Sequence, residues 1–428
     1  MNELEKKNLS KNAPLSWWQK IPLTVQILIA LVFAVVVGLA LGGGNPQANA
    51  TLITTLALPA ELVLKALRAL ATPLILVAVL HTFMTTNIPG TAGRRLAVLL
   101  ITNTTVAIVI GLLVANILQP GVWGGGLKPT GTVDLGKGVD PWGLIKDAIP
   151  EAILKPLTDN SVIPLIVIAL SFGIVLRAIK SEQLAEGKHG YKPIEDLVGV
   201  LFEAIIRILG WVIALVPIAV FGIVAKTIAE KGFAPFQALF AFIIAVLIAL
   251  VLQACYYLTR VKIESWVKPL NFLRGGSDAF LTAFSTSSST VTMPITFEVL
   301  QEKIGLRESS ASLGALVGAN FNNDGTALYE AMAALFIAQL TQQHLNLGQQ
   351  LIVVITSIFA SVGAAGIPNA GLVTMTLVFT SVNLPTEYIA LLVTVDWFLD
   401  RCRTAINVMG DMTVSALLDG KKPHHKET

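Results

Sequence analysis

Charge is scarce in this 428-residue chain: Asp, Glu, Lys and Arg make up 13% of it, about half of the roughly 25% usual for a soluble globular domain. A water-covered surface is thereby excluded. With 54% hydrophobic residues the chain reads as an integral membrane protein. Only two cysteines are present, Cys255 and Cys402, far apart and without metal or redox spacing. A disulfide framework and a thiolate metal centre are excluded. The five histidines, His81, His189, His344, His424 and His425, fall outside every polar motif of the chain. No general base therefore stands near the serine run Ser287 to Ser289, which excludes serine hydrolysis, and no enzyme is expected. The strong alternation of a membrane β-barrel is absent, leaving the all-α class. The net charge of +3 is small, and no nucleic-acid partner is expected.

Long apolar runs are what the chain has instead. Spanning takes roughly 20 apolar residues, and six runs qualify: Ile21 to Leu41, Leu56 to Phe83, Ala97 to Leu118, Val162 to Ile179, Val198 to Val224 and Phe236 to Leu258. Basic residues collect on alternate sides of them. Lys6, Lys7, Lys11 and Lys20 precede the first run; Arg94 and Arg95 follow the second, Arg177 to Lys192 the fourth, and Arg260 to Arg274 the sixth. By the positive-inside rule the N-terminus is cytoplasmic, and Lys421, Lys422 and Lys426 place the C-terminus there too. A cleaved signal peptide ending near Ala48-Asn49-Ala50 is the competing reading, but the apolar stretch before it is too long for a usual signal core. Trp17 and Trp18 then read as interfacial anchors, and the Gly/Pro-rich stretch from Pro120 to Pro141 as an extramembrane loop.

From Trp266 onward the apolar segments are short and rich in Ser, Thr, Gly and Asn. Two of them predict re-entrant hairpins: about Ser277 to Leu300, with Thr286-Ser287-Ser288-Ser289-Thr290, and about Leu351 to Phe379, with Ser361 to Pro368. Each precedes an apolar segment interrupted by polar residues, Asn322 to Thr326 after the first and Asn407 to Asp411 after the second. Small residues alone mark tight helix packing. The paired interruptions instead suggest an inverted repeat whose freed backbone groups bind ions and charged solutes near the midplane.

The polar motifs divide by chemistry. Asn322-Asn323-Asp324-Gly325-Thr326 supplies a carboxylate, amide oxygens and a hydroxyl, the ligands a hard cation takes. Glu330 stands in an apolar segment where an ionised carboxylate is costly, so it is a candidate proton carrier; the plainer role is a partner for an arginine such as Arg401. Arg403 has the planar fork that binds a carboxylate bidentately, and Asp400 is suited to an amine. Together they describe an acidic amino acid, with Ser287, Ser288 and Ser289 and nearby backbone amides holding its second carboxylate. Arg401 and Arg403 are two apart and face different ways on a helix, which favours Arg401 for the structural pair. Asp396 is left without an assigned duty.

The serine run, Asn322 to Glu330, Gly363-Ala364-Ala365-Gly366-Ile367-Pro368 and Asp396 to Asp411 resemble the glutamate transporter family, the dicarboxylate/amino acid:cation symporters. The resemblance is specific from about Ser277 onward and one of layout before that. It implies a homotrimer with eight transmembrane helices and two re-entrant hairpins. Residues 1–93 and 119–234 would form a scaffold, and 94–118 and 235–428 a transport domain that moves as an elevator, gated by the second hairpin. The substrate shell implied is Arg403 on the side-chain carboxylate, Asp400 on the amine, and Thr326, Thr404, Asn407, Ser289, Ile367 and Gly371 around them. Gly318, Asn322, Asn407 and Asp411 match one sodium site. In the third helix, Leu100 to Thr104, with Asn103 and Thr104, matches the ligands of a third site only in part; Asn323 replaces the methionine of a second, and Asn320 stands where a threonine is usual. Glu330 and Arg401 resemble the animal excitatory transporters, where that glutamate is tied to proton and potassium coupling. The expectation is a cell-membrane symporter for glutamate or aspartate, with no cofactor beyond its coupling ions and with protons favoured over full sodium coupling. A neutral amino acid or C4-dicarboxylate carrier is the alternative within transport. An ion channel is the alternative outside it, since polar re-entrant loops also build selectivity filters.

Overall fold

A computed structural model describes residues 21–42, 49–85, 90–123, 146, 149–159, 161–363, 366 and 370–422, with no strand among them. Seven helices come first: α1 Leu23–Gly42, α2 Ala50–Thr85, α3 Gly90–Leu118, α4 Val162–Ala185, α5 Lys192–Ala214, α6 Val216–Lys231 and α7 Ala234–Glu264. All but α6 are long and apolar enough to cross a membrane, so the chain is a multi-pass membrane protein. Their outward faces stay greasy: Val32 and Leu62 are 66% and 65% exposed and Trp211 71%, as lipid-facing side chains are.

Two expectations change here. The run from Val198 to Val224 is two helices, because Pro217 stands in the first turn of α6. Proline has no N–H to donate back and crowds the preceding turn, so the helix restarts at Leu215–Val216. The stretch beginning at Pro120 is not wholly outside the packed body. Pro120 and Gly121 of a 3₁₀ turn over Pro120–Val122 are buried, with the Gly121 N–H donating to Gln339 Oε1 at 3.1 Å. A Cβ on Gly121 would lie 2.5 Å from the Phe336 carbonyl oxygen, so only glycine fits. Trp17, Trp18, 124–141 and Lys426 lie outside the described residues.

Both hairpins are present. The first pairs α8 Pro269–Thr286 with α9 Ser289–Val299. Its turn is made by Ser287 in the left-handed region, φ 54°, and Ser288 caps α9 by accepting the Val291 N–H, the usual service of an N-cap serine. The second pairs α12 Leu347–Gly363 with α13 Ala370–Ser381. Between the hairpins lie α10 (308–321), which carries a π turn at Leu313–Val317, and α11 Asp324–Leu340. They are separated by two non-helical residues, Asn322 and Asn323. The final helix, α14 Ile389–Asp419, is unbroken. The expected interruption at Asn407 to Asp411 is therefore absent. Gly410 serves close approach instead: a Cβ there would lie 2.3 Å from Asn322 Nδ2 and 2.7 Å from Tyr257 Oη.

Packing falls into two groups. α1 and α6 pack together, and α2 packs on α4, α5 and α6; α11 packs against α3, α7, α12, α13 and α14. Every residue of α11 but Gln339 is buried, which puts its polar first turn at the centre of the second group. The seam between the groups has a cavity at each end. One of about 320 Å³ borders Glu61, Lys226, Lys231 and Glu387. The other, about 220 Å³, lies between Leu23, Thr24 and Ile27 of α1 and Ser287, Asp396, Asp400 and Arg401.

Candidate substrate and cation site

The two hairpin tips meet. Ser288 Oγ donates to the Gly366 carbonyl at 2.9 Å, and the Thr290 N–H reaches the same oxygen at 3.4 Å. Gly366 has φ 61°, and a Cβ on it would lie 2.3 Å from the Ala319 carbonyl. Left-handed backbone and backbone contact together leave only glycine there. Ile367 lies outside the described residues, so its expected substrate role has no structural counterpart.

Beneath the tips, α14 presents Asp396, Asp400 and Arg403 on one face, as i, i+4, i+7 spacing requires. Arg403 is fully buried. Its Nη2 lies 2.7 Å from Asp400 Oδ1 and 2.9 Å from Asp396 Oδ1, and its guanidinium carbon stands 4.0 Å from the centre of the Tyr329 ring. Burying a guanidinium is tolerable only with such partners. Asp396 thus acquires a duty that its position in the sequence left open. Nε and Nη1 of Arg403 have no hydrogen-bond partner among the described residues. The Cβ that Gly371 lacks would lie 3.4 Å from Nη1 and from Thr326 Cγ2, so Gly371 and Thr326 flank the unspent donors. Ser289 Oγ at the tip is likewise buried without a hydrogen-bond partner. Thr404, by contrast, donates to the Asp400 carbonyl within its own helix at 2.7 Å.

Arg401 and Glu330 do not form the expected pair. Arg401 Nη1 donates to the carbonyls of Phe284 and Ser285 at 3.0 and 2.8 Å, satisfying the C-terminal end of α8 where a cation is favoured. Two positions from Arg403, it points to the first hairpin instead of the core. Glu330 is fully buried and takes a hydrogen bond from Thr374 of α13; its other oxygen, Oε2, has no hydrogen-bond partner among the described residues. The glutamate is therefore tied to the second hairpin.

The break between α10 and α11 is held by Asn407. Its Oδ1 accepts the Gly325 N–H at 2.7 Å, and its Nδ2 lies 3.3 Å from Thr326 Oγ1 and 3.4 Å from Asn323 Oδ1. Asn323 Nδ2 in turn donates to the Ser361 carbonyl at 2.9 Å, joining the break to the second hairpin. Alongside, Asp411 Oδ1 and Asn322 Oδ1 are buried with no hydrogen-bond partner among the described residues, and Gly318 approaches Asp411 closely: a Cβ there would lie 2.5 Å from Oδ1. Two orphaned oxygens in a cradle without Cβ fit a hard cation such as sodium. Asp324 is differently placed. Thr104 donates to its Oδ1 at 2.6 Å, and Tyr257 donates to its Oδ2. Asn103 Oδ1 accepts from Arg260 Nη1 at 2.9 Å. Of these residues, Tyr257 and Arg260 had no site role in the sequence, Arg260 being read only as a flanking basic charge; nor did Tyr329, quoted only within its motif, or Thr374. For the first two a cue exists: Gln253, Tyr257 and Arg260 form a polar stripe at helical spacing on the otherwise apolar α7.

The model of the sodium:dicarboxylate symporter family matches residues 23–421. Excitatory amino acid transporter 4 of Mus musculus is 32% identical, over 92% of this chain and 82% of its own. Excitatory amino acid transporter 1 of Ambystoma tigrinum is also 32% identical, over 93% and 83%. Excitatory amino acid transporter 3 of Mus musculus is 30% identical, over 92% and 85%. With a paired, buried arginine beneath two meeting hairpins and a family match over nearly its whole length, this chain is a transporter, not an enzyme, and belongs to the sodium:dicarboxylate symporter family.

Proposed function

We propose that the chain is a secondary active symporter for acidic amino acids, glutamate or aspartate. Arg403 binds the side-chain carboxylate, Asp400 the amine, and Ser289 with the hairpin-tip amides the α-carboxylate. The observation that carries this reading is the buried Arg403 with Nε and Nη1 unspent beside Gly371 and Thr326. A buried donor without a partner is costly, and a carboxylate oxygen beside Gly371 would accept from Nη1 in a charge-assisted bond. The family is named for dicarboxylates and the relatives for amino acids; an amino acid with two carboxylates fits both names. Thr404 and Asn407 support the shell through Asp400 and Thr326.

Coupling follows from the same geometry. Glu330, tied to α13 through Thr374, carries a proton whose arrival and departure bias the second hairpin. Gly318, Asn322, Asn407 and Asp411 hold one sodium ion. The substrate site moves as an elevator: α3 and α7 to α14 form the transport domain, and α1, α2 and α4 to α6 the scaffold, in a homotrimer. Counting α5 with α6 and α10 with α11 as one crossing each gives eight, with both termini cytoplasmic. The cavity of about 220 Å³ beside Asp400 adjoins the first turn of α1, the cytoplasmic end in this topology, and is the path of release. Competition binding to the purified protein tests the assignment. Labelled aspartate displaced by glutamate but not by serine or succinate is the expected result; displacement by serine or succinate at equal concentration contradicts it.

A further inference from the structure

We propose that Tyr257 and Arg260 of α7 close the Asn103–Thr104–Asp324 group against a cation, so that these two residues set how many sodium ions the chain couples to transport. The oxygens of that group would suit a cation by chemistry, yet each already takes part in a hydrogen bond within the protein. Asp324 is fully buried, and its two oxygens accept hydroxyl hydrogens from Thr104 and Tyr257. Oxygen ligands stand about 2.3–2.6 Å from a hard cation such as calcium, which separates neighbouring ligands from different residues by about 3 Å or more. Thr104 Oγ1 and Asp324 Oδ1 are 2.6 Å apart, a separation bridged by a hydrogen and not by an ion.

Tyr257 cannot easily withdraw. It is fully buried, and its hydroxyl rests over Gly410, where a Cβ would come within 2.7 Å. Asn103 is capped by a different donor. A guanidinium has no acceptor, so Asn103 must turn its oxygen to Arg260, and does so at 2.9 Å. Arg260 is anchored through Nε and Nη2 to Glu264 at 2.7 and 2.8 Å. A cation approaching Asn103 would have to displace a fixed positive charge. Contrast Asp411 Oδ1 and Asn322 Oδ1, which have no donor among the described residues in the same core: there two oxygens can face an ion, whereas hydrogens of the protein already occupy the Asn103–Thr104–Asp324 group. Tyr257 and Arg260 act through Asp324 and Asn103 and are positioning residues.

The ion count rests on the reading of the chain as a symporter; the closure itself does not, and the test separates them. Sodium is titrated against choline on the purified full-length protein, following thermal stability without substrate and aspartate affinity with it. In the unmutated protein the logarithmic slope of affinity against sodium is expected to be no more than one, and Asp324→Asn should leave the sodium-induced stabilisation unchanged. Tyr257→Phe with Arg260→Met should raise the slope by one, an extra tenfold in affinity for each tenfold in sodium, and Asp324→Asn on that background should abolish the gain. A slope of two or more in the unmutated protein overturns the proposal. So does a sodium stabilisation lost on Asp324→Asn alone, or an unchanged sodium response in the folded double variant. If the double variant does not fold, the unmutated slope and the Asp324→Asn comparison still decide. Absence of aspartate binding throughout would refute the substrate reading, while the stability series would still report on the closure.

Discussion

Arg403→Ala removes the buried cation that faces Asp396, Asp400 and the unspent space beside Gly371. Two consequences should be separable. Hydrogen bonds to charged groups contribute about 1.5–3 kcal/mol each, so losing the Nη1 donor offered to a substrate carboxylate costs about that much, roughly tenfold to a hundredfold in affinity for glutamate or aspartate. Stability falls as well, because Asp396 and Asp400 are left buried without their cation, a loss of about 3–5 kcal/mol when one partner of a buried pair is removed. Arg403→Gln combined with Asp396→Asn removes charge of both signs and should recover much of the stability without recovering acidic-substrate affinity. Isothermal titration with aspartate, alongside thermal unfolding of each variant in detergent, reads both. Aspartate affinity within threefold of the unmutated protein in the stable double variant would refute the role given to Arg403.

Other outcomes follow from the same geometry. Glu330→Gln can still accept from Thr374 but cannot release a proton, so uptake driven by a pH gradient should be lost while exchange of internal for external substrate persists; uptake with an unaltered pH response would contradict this. Gly366→Ala puts a Cβ against the Ala319 carbonyl at φ 61°. Left-handed backbone alone costs about 1–2 kcal/mol, so closure of the tips and uptake should fall at least about tenfold, with faster thiol labelling of a cysteine placed at Ser287. Gly318→Ala would fill the space beside Asp411 Oδ1 and should erase the sodium-induced stabilisation, about 2.7 kcal/mol at a hundredfold excess over Kd, while leaving the sodium-free protein close to its original stability.

How much of this could be read in the sequence varies with the physics. Hairpins are legible because Ser and Gly runs interrupt hydropathy over lengths too short to span. The α10–α11 break is legible for a related reason: Asn322-Asn323-Asp324 cannot continue an apolar helix without partners. The same logic fails at Asn407 to Asp411, where polar residues sit in an unbroken helix because their side chains, not their backbone, do the bonding. Spacing on α14 already places Asp396, Asp400 and Arg403 together and turns Arg401 away. What spacing cannot give is the identity of a partner across elements, so Arg401 was expected on Glu330 and is found on the end of α8. Tyr257 carries no signal of its own on an apolar helix, and Arg260 reads as one of the basic residues that follow the sixth run.

The account stands or falls on what the protein carries and what drives it. Proteoliposomes containing the full chain, loaded and diluted to impose either a proton or a sodium gradient, measure both through labelled aspartate uptake. Accumulation above equilibrium under an inward proton gradient, competed by glutamate and not by serine, is the predicted result. Uptake that is indifferent to both gradients, or that proceeds only as unsaturable leak, would contradict it.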